Sequence, residues 1–313
     1  MGAGDDHLPA GLRPGPVTVR VPASSANLGP GFDSLGLALG LYDEIVAEPL
    51  PPAAGLVVEV EGEGAAEVPL DEDHLVVRAL RAGLTHAGVG PCGLRLQCRN
   101  VIPHGRGLGS SASAAVGGLV AAQGMLADPA RLDRQAVLEL ADRFEGHPDN
   151  VAASVYGGFT ISWVDSGGGP ARAVSLEVHP DVVAVACVPS EVLATSKARA
   201  MLPPTVPHAD AAFNAGRSAL LVHALTRDPS LLLAATEDRL HQFQRTSAMP
   251  ATLDLVHRLR AEGLAAVVSG AGPTALVFAA GRAQAESVAG VAGAAWRVLT
   301  LDVDASGTLA VRS

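Results

Sequence analysis

Apolar and polar residues alternate over Val17-Thr-Val-Arg-Val21, the period-two pattern of a strand with one buried face. Strand-like apolar content resumes from Ser34 to Leu41 and from Asp43 to Ala47, and Leu56 to Glu61 reads as a further strand. The period turns helical from His74 to Ala87, with Asp71, Glu72 and Asp73 at its start, where acids suit the positive end of a helix dipole. Gly93 to Gln97 is a strand, and Cys98 extends its alternation with Leu94 and Leu96. An Ala/Val/Leu-rich run predicts a helix to about Leu126, and a second helix spans Arg134 to Phe144. Glu145-Gly-His-Pro-Asp-Asn150 reads as a turn centred on Pro148; a helical turn and Tyr156-Gly-Gly-Phe159 follow. Ser166-Gly-Gly-Gly-Pro170 is the clearest break in the chain. It predicts a disordered tail over 1–15, a first domain over 16–166 and a second over 167–313.

Beyond that break, Val182 to Val188 has the content of a buried strand, and a loop carries Thr195-Ser-Lys-Ala-Arg199. Pro203, Pro204 and Pro207 interrupt the chain before helices predicted at 209–227, 229–241 and 250–262. Strands at Leu264 to Val268 and Ala275 to Phe278 flank a glycine-rich loop, Ser269-Gly-Ala-Gly-Pro-Thr274, and a helix at 282–293 and a strand at 296–301 complete the pattern.

Composition narrows the reading. A 313-residue chain that is 48% hydrophobic, with mean hydropathy +0.29, is a well-buried globular protein of two domains. Aromatics are only 3%, so Ala, Val and Leu must build the core. The net charge of −10 argues against a nucleic-acid partner or an anionic membrane surface. Cys92, Cys98 and Cys187 lack metal-binding spacing and cannot all pair, so reduced core thiols and a cytoplasmic location are expected. The longest apolar run, Leu264 to Ala280, is broken by Gly270, Gly272 and Pro273, so no membrane span is expected. Lys197 is the only lysine, a bias more in keeping with genome composition than with function.

Candidate chemistry concentrates in Val101-Ile-Pro-His-Gly-Arg-Gly-Leu-Gly-Ser-Ser-Ala-Ser-Ala-Ala-Val116. Gly105, Gly107 and Gly109 let the backbone take positive φ and approach a ligand. Ser110 and Ser111 stand where an N-cap belongs, and the helix that follows offers free N–H groups and a positive dipole end to a phosphate. The dinucleotide pattern fits Gly107-x-Gly109-x-x-Ala112, but it needs a second strand ending in an acid, and Ala121 to Asp133 reads as helix end and loop. The lysine-bearing phosphate-loop pattern fails outright, because no lysine follows the glycines.

Three motifs stand in a fixed order: Pro22-Ala-Ser-Ser-Ala-Asn-Leu-Gly-Pro-Gly-Phe-Asp33, Pro103-x-x-x-Gly-Leu-Gly-Ser-Ser-Ala112, and Ser269-Gly-Ala-Gly-Pro-Thr274. Together they resemble the GHMP small-molecule kinases, over about residues 16–305. The first motif, the His147-Pro-Asp-Asn150 cluster and the Thr195…Arg199 pair are similar to the branch of that family that phosphorylates homoserine. The resemblance implies an α+β fold, with a ribosomal-protein-like N-terminal domain and a ferredoxin-like C-terminal domain. It implies ATP-dependent phosphorylation of L-homoserine to O-phospho-L-homoserine in threonine biosynthesis, by a cytoplasmic enzyme that is commonly a homodimer.

Laid on this sequence, the resemblance puts ATP on Pro103, His104, Gly105, Arg106, Gly107, Leu108, Gly109, Ser110, Ser111, Ala112 and Ser113. Magnesium falls to Ser111, with Ser110 the neighbouring candidate, and to Glu139; a hard carboxylate and phosphate oxygens suit that ion. The amino acid falls to Asn27, Asp33, His147, Asn150, Thr195, Arg199, Arg245, Gly270 and Gly272. Arg199 and Arg245 suit its carboxylate, Asp33 its ammonium, and Asn27 and Asn150 its hydroxyl. Asn27, Asn150 and Arg199 are the residues expected nearest the chemistry. No side chain is assigned as a base, and Asp149 is expected to serve the turn. Where the family often has Asn at the start of the adenine-side helix, this chain has His74. Two rivals stay open: another small alcohol, such as mevalonate, as acceptor, or a catalytically silent relative that binds a metabolite.

Overall fold

The computed structural model describes residues 7–312. Two sheets share the strands. The first runs β11-β1-β2-β4-β3, from β1 (Val17–Ala26), β2 (Leu35–Leu50), β3 (Leu56–Gly62), β4 (Gly93–Asn100) and β11 (Leu309–Arg312). A hairpin of β5 (Phe159–Val164) and β6 (Ala171–Leu176) joins it through β2. All pairings are antiparallel except that of β3 with β4. The second sheet is antiparallel, in the order β10-β7-β9-β8, from β7 (Val182–Val188), β8 (Ala265–Val268), β9 (Ala275–Ala280) and β10 (Arg297–Leu301).

One face of the first sheet is covered by α1 (Leu75–His86), α2 (Ser110–Met125), α3 (Arg134–Glu145) and α4 (Pro148–Tyr156). Helix α2 is apolar on nearly every side, as a helix wrapped by β1, α1 and α3 must be. Its glycines set the spacing: a Cβ on Gly118 would sit 2.4 Å from the carbonyl oxygen of Val76. The second sheet packs with α5 (Thr195–Arg199), α6 (His208–Thr226), α7 (Leu232–Ala235), α8 (Pro250–Ala261) and α9 (Arg282–Ala292). Phe159 and Phe278 are the largest fully buried side chains, and the rest of the core is mainly Ala, Val and Leu. The three cysteines are buried and unpaired, and burial pushes the thiols of Cys98 and Cys187 up to about 12, so both stay protonated.

Several expectations are corrected. The glycine run Ser166–Pro170 is the turn between β5 and β6, and the last strand, β11, returns beside β1. The first sheet therefore draws strands from both sides of the expected boundary. Of the expected disordered tail, residues 1–6 lie outside the described residues. Residues 7–15 are ordered against the end of α2: Arg13 N–H donates to Met125 O, and Ala127 N–H to Gly11 O. The two apolar stretches before and after Tyr42 form one long strand. β1 likewise continues through Pro22-Ala-Ser-Ser-Ala26 after a bulge at Pro22/Ala23, because these small side chains pair with Gly36 to Tyr42 of β2. The helix expected at 229–241 ends at Ala235; Asp238 then takes the backbone N–H groups of Leu240, His241 and Gln242 and holds an irregular turn.

Candidate active site

The three sequence motifs meet. Ser24 N–H donates to Leu108 O at 3.1 Å, Gly270 N–H to Ala26 O at 3.0 Å, and Thr274 N–H to Arg106 O at 3.2 Å. Ser269 Oγ donates to Gly107 O at 2.6 Å. A Cβ on Gly107, where φ is +77°, would sit 2.3 Å from Ser269 O, so only glycine allows the two loops to approach this closely.

Gly109, at φ +73°, is the residue before α2, and no side chain caps the helix. The serines expected at the cap stand one and two positions inside it. The first N–H groups of α2 are thus left for a ligand, and with the helix dipole they make an anion site. Gly105, Gly107, Gly109, Ser110 and Ser111 line a cavity of about 140 Å³. Other members of the expected ATP segment lie beneath it. Pro103, Leu108 and Ala112 are buried, and Ser113 Oγ turns inward to Pro22 O. Arg106 does not line this cavity: its guanidinium donates to the carbonyls of His104, Pro189 and Ser190 and ties the loop to the segment after β7. His104 lines an adjoining cavity of about 280 Å³, together with Asp43, His74, Ser110 and Ser111. There His74 is the residue before α1; its buried Nδ1 has no partner, and burial lowers its pKa and keeps the ring neutral.

The metal expectation divides. Ser111 Oγ meets a carboxylate, but it is that of Glu145, not Glu139. Glu139 Oε1 accepts from Gln135, which also donates to Ala171 O of β6, away from the phosphate loop. The two glutamates are six residues apart on α3, roughly one and two-thirds turns, and so face different ways. Among the described residues no cluster of three or more His, Cys, Asp or Glu could hold a metal alone. The pair of one hydroxyl and one carboxylate suits a cation that takes its other ligands from phosphates and water.

Across the small cavity lie Asn27, Asp33, His147, Asp149, Asn150, Thr195, Arg199, Arg245 and Gly270. Asn27, Leu28 and Asp33 all have positive φ, so the loop after β1 is held in a conformation most residues avoid. Asn27 is the brace: its Oδ1 accepts from Asp33 N–H and its Nδ2 donates to Gly270 O, which commits the amide expected to orient a hydroxyl. Arg199 grips Asp33 with two parallel bonds, at 2.9 and 2.7 Å. Asn150 Oδ1 accepts from Ser24 Oγ, leaving its NH₂ group for the cavity. Asp149 is 2% exposed; it accepts from Asn150 N–H and lies 3.3 Å from His147 Nδ1, which raises the imidazole pKa despite burial. Gly272 is not in the cavity; it packs against Met249 and beneath Gly107. Lys197 lies exposed on α5, between Thr195 and Arg199.

Arg245 is 2% exposed, and its Nε–H has no acceptor. Among the described residues it makes no ion pair. Burial and the nearby charge of Arg199 both lower its pKa, the mark of a cation short of counter-charge.

A glycine loop feeding an uncapped helix, joined at its rim to a second sheet, is the arrangement of a GHMP kinase. Residues 74–158 match the N-terminal domain of the GHMP kinases, and residues 219–298 their C-terminal domain. The homoserine kinase of Streptomyces avermitilis is 53% identical over 297 residues, covering 95% of this chain and 96% of that protein. That of Rhodococcus erythropolis is 54% identical over 304 residues, covering 95% of each. Among solved structures, homoserine kinase from Cytophaga hutchinsonii superimposes with a TM-score of 0.84 at 25% identity, covering 95% of this chain and 97% of that one. The L. major mevalonate kinase shares the fold, with a TM-score of 0.67 at 18% identity, covering 98% of this chain and 100% of that one. The chain belongs to the GHMP kinases and, within them, to the homoserine kinase family.

Proposed function

We propose that the protein transfers the γ-phosphoryl group of ATP to the hydroxyl of L-homoserine, giving O-phospho-L-homoserine and ADP. The observation that carries the substrate assignment is Arg245, a buried guanidinium with an unused N–H and, among the described residues, no ion-pair partner, although the charges of Asp238 and Asp33 are felt there. Burying a cation is costly unless it is paired, so such a group marks the place of an anion. A carboxylate fits its planar fork. Asp33 separates an amino acid from other carboxylate-bearing alcohols such as mevalonate, because it offers an acceptor for an ammonium group.

The nucleotide phosphates rest on the backbone of Gly105 to Ala112, with the base in the larger cavity beside His74. Magnesium, when bound, is held by Ser111 and Glu145 and neutralises phosphate charge. Asn150 and His147 orient the acceptor hydroxyl. Asp149 is occupied with His147 and the start of α4, so phosphoryl transfer rests on alignment and charge neutralisation, which suffices for a loose transition state. The test is ADP release with Mg-ATP against L-homoserine, L-threonine, L-serine, shikimate and mevalonate. Strong turnover with L-homoserine alone is expected. Preference for mevalonate, which has a carboxylate but no ammonium, would remove Asp33 from its role and leave that of Arg245, and ATP binding without turnover on any alcohol would overturn the kinase reading.

A further inference from the structure

A buried histidine that no motif singled out stands behind Arg245. His241 is 1% exposed and lies between the loop after β1 and the turn that carries Arg245. Its Nε2 is 2.7 Å from Gly29 O. A carbonyl only accepts, so Nε2 carries the proton. Its Nδ1 is 3.2 Å from Arg245 Nη1. A guanidinium only donates, so Nδ1 is bare. Both contacts demand the same neutral tautomer. The ring is fixed on other sides as well. Phe32 packs against it with ring centroids 5.1 Å apart, and Asp238, which accepts from the His241 backbone N–H at 3.1 Å, sets its carboxylate 3.8 Å from Nε2, on the side of the protonated nitrogen.

The consequence falls on Arg245. Its Nη1 also donates to Gly270 O at 3.1 Å, so both Nη1 hydrogens are spent and the plane of the guanidinium is set. The edge formed by Nε and Nη2 has no protein partner among the described residues. That edge is a two-pronged donor of the shape a carboxylate takes.

We propose that His241 is a positioning residue for the amino-acid substrate: as a neutral imidazole protonated on Nε2, it accepts from Arg245 Nη1 and thereby turns the Nε/Nη2 edge toward the substrate carboxylate. The proposal rests on the reading that Arg245 receives that carboxylate. The test compares R245A, H241N and H241Q by KM for L-homoserine, KM for ATP, kcat and Tm. The asparagine carboxamide oxygen lies near the position of Nδ1 and still accepts from Arg245. The glutamine amide reaches toward Gly29 O but offers nothing at Nδ1. H241Q is expected to raise the KM for L-homoserine on the order of tenfold or more, the size of a lost bond to a charged donor, with the KM for ATP within about twofold. H241N is expected to raise it several-fold less than H241Q does. Equal effects of the two variants, with R245A still raising the KM for L-homoserine, would overturn the role of His241 and leave that of Arg245. An R245A enzyme with an unchanged KM for L-homoserine would sink both. Should either His241 variant fail to fold, imidazole nitrogen NMR of the unaltered enzyme decides at pH 7: a neutral Nε2–H ring supports the proposal, and an Nδ1–H tautomer or an imidazolium overturns it.

Discussion

At the scale of single residues, the site separates groups that look alike in the chain. Glu139 and Glu145 are both acids of α3, yet only Glu145 reaches Ser111. E145Q is expected to lower kcat by ~10²–10³ and to weaken the magnesium dependence, whereas E139Q should retain near-normal turnover. Steady-state rates over a magnesium titration distinguish the two. His147 gives a pH prediction. Asp149 raises its folded pKa above the ordinary 6.5, so the charged imidazole contributes stability that is complete below that value and fades as pH rises through the raised one. D149N should bring the imidazole titration, followed by NMR, back down, and its Tm deficit should shrink as pH rises through that same window. The glycines and the serines were legible because their chemistry is local: positive φ, close approach and a helix start are properties of neighbouring residues. The choice between two glutamates was not, since it depends on how α3 is rotated against a loop more than thirty residues earlier. His241 was invisible for a related reason: Arg245 is one helical turn further along the chain, but Gly29, which fixes the tautomer, comes from a distant segment.

At the scale of elements, the strands and most helices follow the apolar periodicity, and the exceptions have physical causes. The run from 229 to 241 reads as one helix to its neighbours, but beyond Ala235 Asp238 competes for backbone N–H groups and ends it. The hairpin turn at Ser166–Pro170 looks like a linker because both use glycine and proline. Strand β11 is short and its side chains are largely exposed, so no alternation announces it. The contact between α1 and α2 is a sharper case. Gly118 lets the helices approach until no Cβ fits beside Val76 O. G118L is expected to lower stability by about 1–3 kcal/mol or more through overpacking, measured by urea unfolding, and any folded fraction should keep its KM for ATP.

At the scale of the whole molecule, the chain closes on itself. Residues 7–15 and β11 lie at its two ends and meet near the end of α2, where Arg312 donates to both Gly124 O and Pro14 O. Deleting residues 309–313 should lower Tm and expose the edge of β1, and calorimetry with light scattering would show the loss together with concentration-dependent association. The larger consequence concerns the phosphate loop, which carries bonds to the last residues of β1, to the loop between β8 and β9, and to the segment just after β7. The proposed nucleotide and amino-acid sites therefore share one framework of backbone bonds.

The chain's single lysine lies on α5, flanked within two residues by Thr195 and Arg199 at the mouth of the cavity. An amine-directed fluorophore therefore has one side chain to find, apart from the chain's own amino terminus. Chance of composition has placed a built-in reporter at the entrance to the site, where changes in emission would time the arrival and departure of the amino acid without any engineered label.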